Sequence, residues 1–370
     1  MIKVSRGCLG EEELAAVSEA FNYGYFGMAY NVIEFEKELK IYLGAEYVIA
    51  TNSGTSALHL ALDALGISKG DEVITPSLTF VGAYQAISAT GATPIPVDIC
   101  PDTLLLDLDD VRRKISTRTR AVMPVHYASN PCDMDTLMGI GSEYNIRIVE
   151  DAAHAFGSYY NGKRIGGFGD IACFSFDSIK NITCGEGGAI VCHNPEFAAI
   201  LRQKRLCGME RKFQASSVWK ERSWFYEVNT QGFRYHMSNI NAAIGLVQLK
   251  KIDSFISRRQ EICRRYDSAF KGIPAISCLP INYDDVAPHI YIIRVKDGRR
   301  DGLKDYLMGL DIETGINYIP NHLHPFYASK AVNLPETEKA YQEILTLPLH
   351  FGLTDDDVTE VIQGVIEGLR

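Results

Sequence analysis

Two periods of apolar residues alternate along the first two thirds of this chain. Short continuous apolar runs indicate buried strands, and stretches with apolar residues three or four positions apart indicate amphipathic helices. The helix predicted at Thr55–Leu65, for example, places Leu58, Leu62 and Leu65 on one side. Buried strands that alternate with helices are typical of a mainly parallel sheet covered on both faces.

The pattern predicts two N-terminal helices, Glu11–Tyr23 and Asn31–Leu43, followed by a succession of strands and helices. The strands are expected at Tyr47–Thr51, Glu72–Thr75, Thr93–Val97, Arg120–Val125 and Ile146–Val149. The helices between them are expected at Thr55–Leu65, Val81–Thr90, Asp109–Ile115 and Met134–Tyr144. Two more buried strands are expected at the apolar runs that begin at Ile171 and Ala189.

The pattern changes near residue 238, where a long helix is predicted from Asn241 to Phe270. Beyond it we expect strands at Tyr291–Val295 and Ile312–Tyr318. Helices are expected at Leu303–Leu310, Glu336–Leu345 and Asp355–Leu369. The chain is therefore predicted to form a large α/β domain at residues 1–245 and a smaller α+β domain at residues 246–370.

Composition and charge narrow the class of protein. The chain has 370 residues, of which 46% are hydrophobic, enough for one large core and a smaller one. Its formal net charge of −9 argues against a general surface for nucleic acid or for anionic membranes, although a local pocket can still be basic. No apolar run approaches the ~18 residues of a membrane span, and the N-terminal residues do not follow a signal-peptide pattern.

The nine cysteines are irregularly spaced, and no Cys-x-x-Cys pair occurs. Such a set argues against a zinc site or a disulfide framework. Most of the cysteines lie in apolar runs, as ordinary buried thiols do. We therefore expect a soluble cytoplasmic protein without a bound metal.

Lys180 lies between two apolar runs, with a glycine-rich turn at residues 185–188 close behind it. A lysine held between buried strands is partly desolvated, and desolvation disfavours the ammonium form. The neutral amine can attack a carbonyl, so Lys180 is a candidate Schiff-base nucleophile. A lysine in a turn is more often a solvated surface charge, so this interpretation depends on finding the other parts of a pyridoxal phosphate site.

Residues 52–57, with the sequence NSGTSA, link a predicted strand to a helix. A helix N-terminus offers unpaired N–H groups and a partial positive charge, which suit a phosphate. Gly54 lets the backbone approach closely, and Thr55 adds a hydroxyl donor. The alternative is a plain helix cap by Ser53 or Thr55.

Glu150 and Asp151 follow directly on the buried strand Ile146–Val149, at the strand end where ligands of open α/β sheets bind. A carboxylate there can pair with a protonated pyridine nitrogen. At ~3 Å and an effective dielectric constant of about 20, that attraction is roughly 5 kcal/mol before desolvation. A capping aspartate is the alternative. His154, three residues on, can reach the phenolic oxygen of the same ring, although a lone histidine is more often a structural hydrogen-bonder.

Two further residues complete the pattern. Phe80 offers an aromatic face that can stack on a cofactor ring, with core packing as the alternative. Ser175 lies in the strand before Lys180 and can donate to a phosphate. The order along the chain is more specific than any single signal: phosphate turn, aromatic ring, aspartate at a strand end, serine and lysine.

With these residues in place, the sequence resembles the sugar-nucleotide aminotransferases of the DegT/DnrJ/EryC1/StrS family, which have the fold-type I pyridoxal phosphate fold. The matching segments are NSGTSA at 52–57, GDEVITPS at 70–77, PVHY at 124–127, EDAAH at 150–154, IKNIT at 179–183, GEGG at 185–188 and GFRYHMSNINAAIG at 232–245. The smaller domain matches more loosely, through residues 318–324 and 347–349.

The resemblance implies roles for these positions. Lys180 would bind pyridoxal 5′-phosphate covalently, Asp151 would pair with the pyridine nitrogen, and His154 would contact the phenolic oxygen. Gly54, Thr55 and Ser175 would bind the phosphate, with Phe80 over the ring. Arg234 matches a position that family members contribute to the phosphate of the partner subunit, so a homodimer with shared sites is expected.

Two positions depart from the family pattern. Arg234 stands where many relatives have Asn, so it is expected either at the cofactor phosphate or at the diphosphate of the substrate. Asp177 stands where many relatives have His, and the sequence assigns it no role. A dehydratase branch of the family replaces the lysine with histidine, and Lys180 argues against membership there.

The resemblance implies a substrate as well. Tyr318 and His322 are expected to approach the sugar, and basic residues are candidates to receive its diphosphate: Arg211, Lys212, Lys220, Arg222 and Arg234. Residues 152–154 and 179–184 are most similar to members that aminate C4 of a keto sugar. The expected substrate is a 4-keto-6-deoxyhexose on dTDP, first of all dTDP-4-keto-6-deoxyglucose, with L-glutamate as amino donor.

Other functions remain open at this point. A C3 aminotransferase acting on a 3-keto sugar is the nearest alternative, since the carbon that faces the cofactor depends on how the sugar lies in the pocket. A non-catalytic sugar-nucleotide binder would not need the lysine. A nicotinamide oxidoreductase is disfavoured, because no Gly-x-Gly-x-x-Gly turn follows a strand.

Overall fold

The computed structural model describes residues 1–210, 226–329 and 332–370. Two N-terminal helices, α1 (Glu11–Tyr23) and α2 (Tyr30–Leu43), precede a seven-stranded sheet. Its strands are β1 (Tyr47–Thr51), β2 (Glu72–Pro76), β3 (Thr93–Val97), β4 (Thr119–Val122), β5 (Arg147–Asp151), β8 (Ile171–Ser175) and β9 (Gly188–Cys192). Two short strands, β6 (Tyr159–Tyr160) and β7 (Lys163–Arg164), form a separate hairpin after β5.

The strand order in the large sheet is β1-β9-β8-β5-β4-β2-β3, and β9 is antiparallel to both of its neighbours. All the other strands point the same way, because β8, β5, β4, β2 and β3 pair in parallel. The prediction of a mainly parallel sheet is therefore confirmed. The helices that connect or follow these strands are α3 (Gly54–Ala64), α4 (Val81–Ala89), α5 (Leu108–Lys114), α6 (Met134–Tyr144) and α7 (Pro195–Lys204).

Both faces of the sheet are buried except along the edge strand β3, and consecutive residues of one strand enter different cores. In β1, Val48 and Ala50 pack with α2 on one face, whereas Ile49 packs with α3 on the other. A strand has a side-chain period of two, so a strand buried on both faces shows a continuous apolar run rather than an alternating one. This explains why the buried strands were predicted at the right places.

The second part of the chain is built on α8 (Asn239–Phe270), a helix of 32 residues. It is followed by a three-stranded antiparallel sheet of β12 (Ile276–Cys278), β13 (Tyr291–Val295) and β14 (Ile344–Leu347). Three more helices pack around that sheet: α9 (Arg300–Gly309), α10 (Pro335–Glu343) and α11 (Asp355–Gly368). Short strands β10 (Met209–Glu210) and β11 (Glu227–Val228) pair on either side of the undescribed residues 211–225.

Helix α8 contributes to two cores. Ile252 and Phe255 pack against α2 and the large sheet, whereas Ile262 and Tyr266 pack with the three-stranded sheet. The helix therefore joins the two parts of the molecule through continuous apolar packing. The domain boundary at residue 245 lies within this helix and stays a prediction.

One predicted element beyond α8 is wrong, and a predicted helix is present but two residues shorter at its end. Residues 312–318 do not form a strand, since they make only isolated bridges, from Ile312 to Ile2 and from Gly315 to Thr346. The segment instead leaves the small sheet and carries Tyr318 into a cavity. The helix predicted at Glu336–Leu345 ends at Glu343, because Ile344 and Leu345 pair with β13.

In the part of the chain that the structure describes, no helix is long and apolar enough to cross a membrane.

Helix α9 offers a matched test of the small core. Leu307 is fully buried, whereas its neighbour Met308 is 49% exposed. We expect Leu307→Ala to lower the free energy of unfolding by about 2–5 kcal/mol, because it removes buried methyl groups and leaves a cavity. Met308→Ala is the control and should change it by less than about 0.5 kcal/mol. Equal losses in urea unfolding would contradict the packing described here.

Candidate active site

A cavity of about 410 Å³ opens at the edge of the large sheet where its parallel strands end. Open α/β sheets bind ligands at this edge because the loops that follow the strands meet there. The cavity brings together most of the residues predicted from the sequence. They are Gly54, Thr55, Phe80, Asp151, His154, Ser175, Lys180 and Tyr318.

One end of the cavity is formed by the N-terminus of α3. Ser53 caps this helix, with its Oγ accepting the N–H of Ser56 at 3.1 Å. A Cβ on Gly54 would lie 2.8 Å from Cβ of Ser175, so only glycine lets the helix approach β8 this closely. The N–H groups of the first helical turn have no acceptor within the helix, and Gly54 and Thr55 line the cavity. This end therefore suits a phosphate, and Ser53 also acts as the helix cap.

Lys180 extends from a tight turn that follows β8. Asp177 holds this turn together, since its carbonyl accepts the N–H of Lys180 at 3.1 Å and its Oδ1 accepts the N–H of Ile179 at 3.2 Å. Burial lowers the pKa of Lys180 to about 8, against the opposing effect of the charges on Asp151 and Asp177. Lys180 is therefore not a solvated surface lysine, and a substantial fraction of its amine is neutral near neutral pH.

Asp151 ends β5 and is 6% exposed. Its Oδ1 accepts the N–H of Ala153 at 3.1 Å. Burial raises the pKa of this carboxyl group, while the Ala153 hydrogen bond and the charge of Lys180 oppose the rise. A carboxylate in such a place is stabilised by a cationic partner in the cavity, as a protonated pyridine nitrogen would be.

A buried pair fixes the strand end that carries Asp151. His126 Nε2 lies 3.1 Å from Glu150 Oε2, and both side chains are fully buried. His126 Nδ1 accepts the N–H of Cys132 at 3.0 Å, so Nε2 bears the proton and donates it to the carboxylate. The other oxygen of Glu150 accepts the N–H of Gly169 at 2.7 Å. The strand end is thus held by satisfied hydrogen bonds on both sides of Glu150.

The opposite wall of the cavity is aromatic. His154 is buried, its Nε2 lies 2.9 Å from the hydroxyl of Tyr318, and its Nδ1 has no hydrogen-bond partner in the described parts of the chain. Burial lowers the pKa of His154 well below its usual value, so the ring is neutral. Phe80 is 55% exposed, and its ring centroid lies 5.7 Å from that of Tyr318. An exposed aromatic face at the rim of a cavity is placed to stack on a flat ligand.

Two predicted residues lie elsewhere. Arg234 is exposed and bridges to Leu206, outside the cavity of its own chain. His322 lies outside the cavity lining, where its ring contacts Ser77 Oγ at 2.7 Å and Glu338 at 3.3 Å. Their roles in binding stay predictions. The basic residues Arg211, Lys212, Lys220 and Arg222 lie outside the described residues.

The structure adds residues that the sequence analysis did not assign. Glu186 and Asn317 line the cavity, and Asp177 now has a structural role in the Lys180 turn. His289 approaches Lys180, with Nε2 3.3 Å from Nζ. The only signal for it in the sequence is a histidine two residues before the predicted strand Tyr291–Val295, and that signal does not distinguish this role from a structural one.

These residues fit pyridoxal 5′-phosphate. A glycine-lined helix N-terminus faces the same cavity as a lysine of lowered pKa, a buried carboxylate, a histidine with an unpartnered nitrogen and an exposed aromatic ring. The phosphate, carbonyl, ring nitrogen, phenolic oxygen and ring face of the cofactor would each meet a group of suitable chemistry.

Known proteins match the chain over nearly its whole length. The profile of the DegT/DnrJ/EryC1/StrS aminotransferase family matches residues 7–366. The spore coat polysaccharide biosynthesis protein SpsC of Bacillus subtilis is 38% identical, over 96% of this chain and 94% of SpsC.

Solved structures agree with this match. The aminotransferase TlmJ from Streptoalloteichus hindustanus is 35% identical with a TM-score of 0.93, covering 100% of this chain and 99% of TlmJ. The putative sugar aminotransferase Spr1654 from Streptococcus pneumoniae, in its PLP form, is 30% identical with a TM-score of 0.92, covering 100% of this chain and 98% of its own.

The predicted enzyme class, a transaminase, and the predicted cofactor, pyridoxal 5′-phosphate, are confirmed by the family that this match identifies. Because the family profile spans both cores and every residue that lines the cavity, the chain belongs to the DegT/DnrJ/EryC1/StrS aminotransferase family.

Proposed function

We propose that this enzyme transfers the amino group of L-glutamate to C4 of a nucleotide-linked 4-keto-6-deoxyhexose, first of all dTDP-4-keto-6-deoxyglucose. The observation that carries the proposal is the enclosed amine of Lys180, which shares one cavity with Asp151 and the N-terminus of α3. The product would be an amino sugar for a surface polysaccharide such as an O-antigen. We place the reaction in the cytoplasm.

The sugar substrate is supported by what the similar proteins are called. SpsC is described as a spore coat polysaccharide biosynthesis protein, and Spr1654 as a putative sugar aminotransferase. The choice of C4 is supported by residues 152–154 and 179–184, which resemble members that aminate this carbon. The choice of dTDP rests on the same resemblance.

Lys180 would carry the cofactor and move the proton. When bound, pyridoxal phosphate supplies an electron sink that stabilises negative charge on the substrate carbon. The free amine of Lys180 would take the proton from that carbon and return it one position away. A pKa of about 8 leaves far more of the amine neutral near neutral pH than the ordinary value of 10.5 would.

The other residues would hold and orient the cofactor. Asp151 would keep the ring nitrogen protonated, and its own charge would be stabilised in return. Gly54, Thr55 and Ser175 would hold the phosphate, and Phe80 would cover the ring. His154 has a nitrogen available for the phenolic oxygen and a second nitrogen already anchored to Tyr318. Tyr318 is also the nearest candidate to meet the sugar.

We propose a homodimer in which Arg234 serves the site of the partner subunit, at the cofactor phosphate or the substrate diphosphate. The exposed position of Arg234 outside its own cavity agrees with this role. A cluster of exposed aromatic side chains in and between α1 and α2 also needs a covering partner. These are Phe21, Tyr23, Tyr25, Phe26 and Tyr30, each at least 47% exposed.

Replacing Lys180 with alanine should abolish the covalent link to the cofactor and lower the rate of amino transfer by at least about 10³-fold, since both nucleophile and proton carrier are lost. Lys304→Ala, an exposed lysine on α9, is the control and should retain normal activity. Borohydride reduction with peptide mapping should label Lys180 in the unmodified enzyme. Absence of that label would favour a non-catalytic sugar-nucleotide binder.

Replacing Asp151 with asparagine should lower kcat by about 10³-fold while the cofactor still binds, because the amide keeps the shape but no longer stabilises a protonated ring nitrogen. Asp177→Asn is the matched control. It keeps an oxygen for the Ile179 N–H, so we expect a loss of less than about tenfold. Comparable losses in steady-state kinetics of the two variants would contradict the role of Asp151.

A panel of 3-keto and 4-keto sugars on dTDP, UDP and GDP, each assayed with L-glutamate, tests the substrate. We expect the highest kcat/KM with dTDP-4-keto-6-deoxyglucose, and NMR of the product should place the new amine on C4. An amine on C3 would identify the alternative, a C3 aminotransferase.

A further inference from the structure

The segment before β13 brings a histidine of the small-sheet region into contact with Lys180. His289 Nε2 lies 3.3 Å from Lys180 Nζ. The side chain is 3% exposed, and its Nδ1 has no hydrogen-bond partner among the described residues. The catalytic scheme above makes no use of this group.

Hydrogen bonds to backbone groups hold the two chain segments that form this contact. Ser129 Oγ accepts the N–H of His289 at 2.8 Å, and Ser158 Oγ accepts the N–H of Ala287 at 3.0 Å. Asn181, the residue after Lys180, donates to the carbonyl of Ala287 at 2.9 Å. Asn181 directly follows Lys180, and Ala287 lies two residues before His289. Their hydrogen bond therefore joins the turn that carries the lysine to the segment that carries the histidine.

A second element holds Asn181 in turn. Arg259 on α8 is buried and donates to Asn181 Oδ1 at 2.8 Å. Since Asn181 then has its oxygen occupied by Arg259, its amide nitrogen is oriented towards Ala287 and towards the carbonyl of Phe156 at 3.1 Å. Hydrogen bonds through Asn181 therefore hold the His289–Lys180 contact in place where the two cores meet.

We propose that His289 is a positioning residue for Lys180: its Nε2 accepts a hydrogen bond from the free amine, orients that amine and stabilises its protonated form. This inference rests on the proposed function, in which Lys180 is the reactive amine. An Nε2 lone pair can accept from the ammonium form and from the neutral amine, so one histidine tautomer serves both states.

The charges around the pair agree with a neutral histidine. Lys180 is faced by Asp151 at the end of β5, by Asp177 in its own turn, and by the neutral His154 and Tyr318. His289 is faced by Lys180, His154 and Arg259. Burial, followed by the positive charges of Lys180 and Arg259, holds the pKa of His289 well below its usual value.

The test is the pKa of Lys180 in the full-length protein freed of cofactor. The rate at which acetic anhydride modifies Lys180 would be followed by peptide mapping as a function of pH, because only the neutral amine reacts. In the protein without substitutions, we expect the midpoint of the rate–pH curve to lie near pH 8. In His289→Leu it should fall by about one pH unit, since the ammonium form loses an acceptor. Well below the midpoint, modification should then be about tenfold faster.

Three variants make the test specific. His289→Gln places an amide oxygen near the position of Nε2 and should restore the midpoint. His289→Asn is too short to reach Lys180 and should behave as His289→Leu does, which provides a second variant if the leucine variant does not fold. His154→Asn changes a histidine whose ring centroid lies 4.6 Å from that of His289 without contacting the amine, and should shift the midpoint by less than about 0.3 pH unit.

Each result has a defined meaning. An unchanged or raised midpoint in His289→Leu and His289→Asn, or an equal fall in His154→Asn, would overturn the role of His289 and leave the proposed function intact. If Lys180 titrated like an ordinary surface lysine in the protein without substitutions, both the role of His289 and the proposed function would be overturned.

Discussion

The partial burial of Lys180 in the cavity is the constraint on which the rest of the site depends. Desolvation alone would favour the neutral amine, whereas the carboxylates of Asp151 and Asp177 favour the ammonium form. Their balance leaves the pKa at about 8, so both protonation states are accessible near neutral pH. In the role proposed for Lys180, the amine accepts a proton and then returns it, which requires this intermediate pKa. Neither an exposed lysine nor a buried lysine without a partner would have it.

The sheet builds that environment by ending its parallel strands at one edge. Strand β1 leads into the turn at residues 52–57, β5 ends at Asp151, and β8 leads to Lys180. The antiparallel strand β9 fits between β1 and β8 only through glycine. A Cβ on Gly188 would lie 2.5 Å from the carbonyl oxygen of Ser53, so the glycine-rich turn after Lys180 lets β9 pass directly behind the cap of α3. The turn thus has a packing role at the end of the cavity formed by α3.

Much of the fold follows from local patterns because burial on both faces makes the central strands β8 and β9 almost continuously apolar. The segment from Ile312 to Tyr318 shows where this reasoning fails. Its alternating apolar residues resemble a strand, yet Asn317 bonds to Thr346 and Tyr127, and Tyr318 turns into the cavity to meet His154. The contacts that decide its path come from residues 29 to 190 positions away along the chain, and no local period records them.

The sequence by itself determined the order of the chemical groups: a capped glycine-containing turn, an aromatic ring, an aspartate at a strand end, a serine and a lysine. Spacing and strand ends carry that information, because each group follows its own buried element. Only the tertiary structure decided which side chains surround the lysine. His289 and Arg259 come from elements beyond the large sheet, and they reach the site through the packing of α8 and the ties at Asn181 and Ser129. Such contacts depend on how the two cores pack against each other. This long-range packing leaves no trace in the hydrophobic periodicity of either part of the chain.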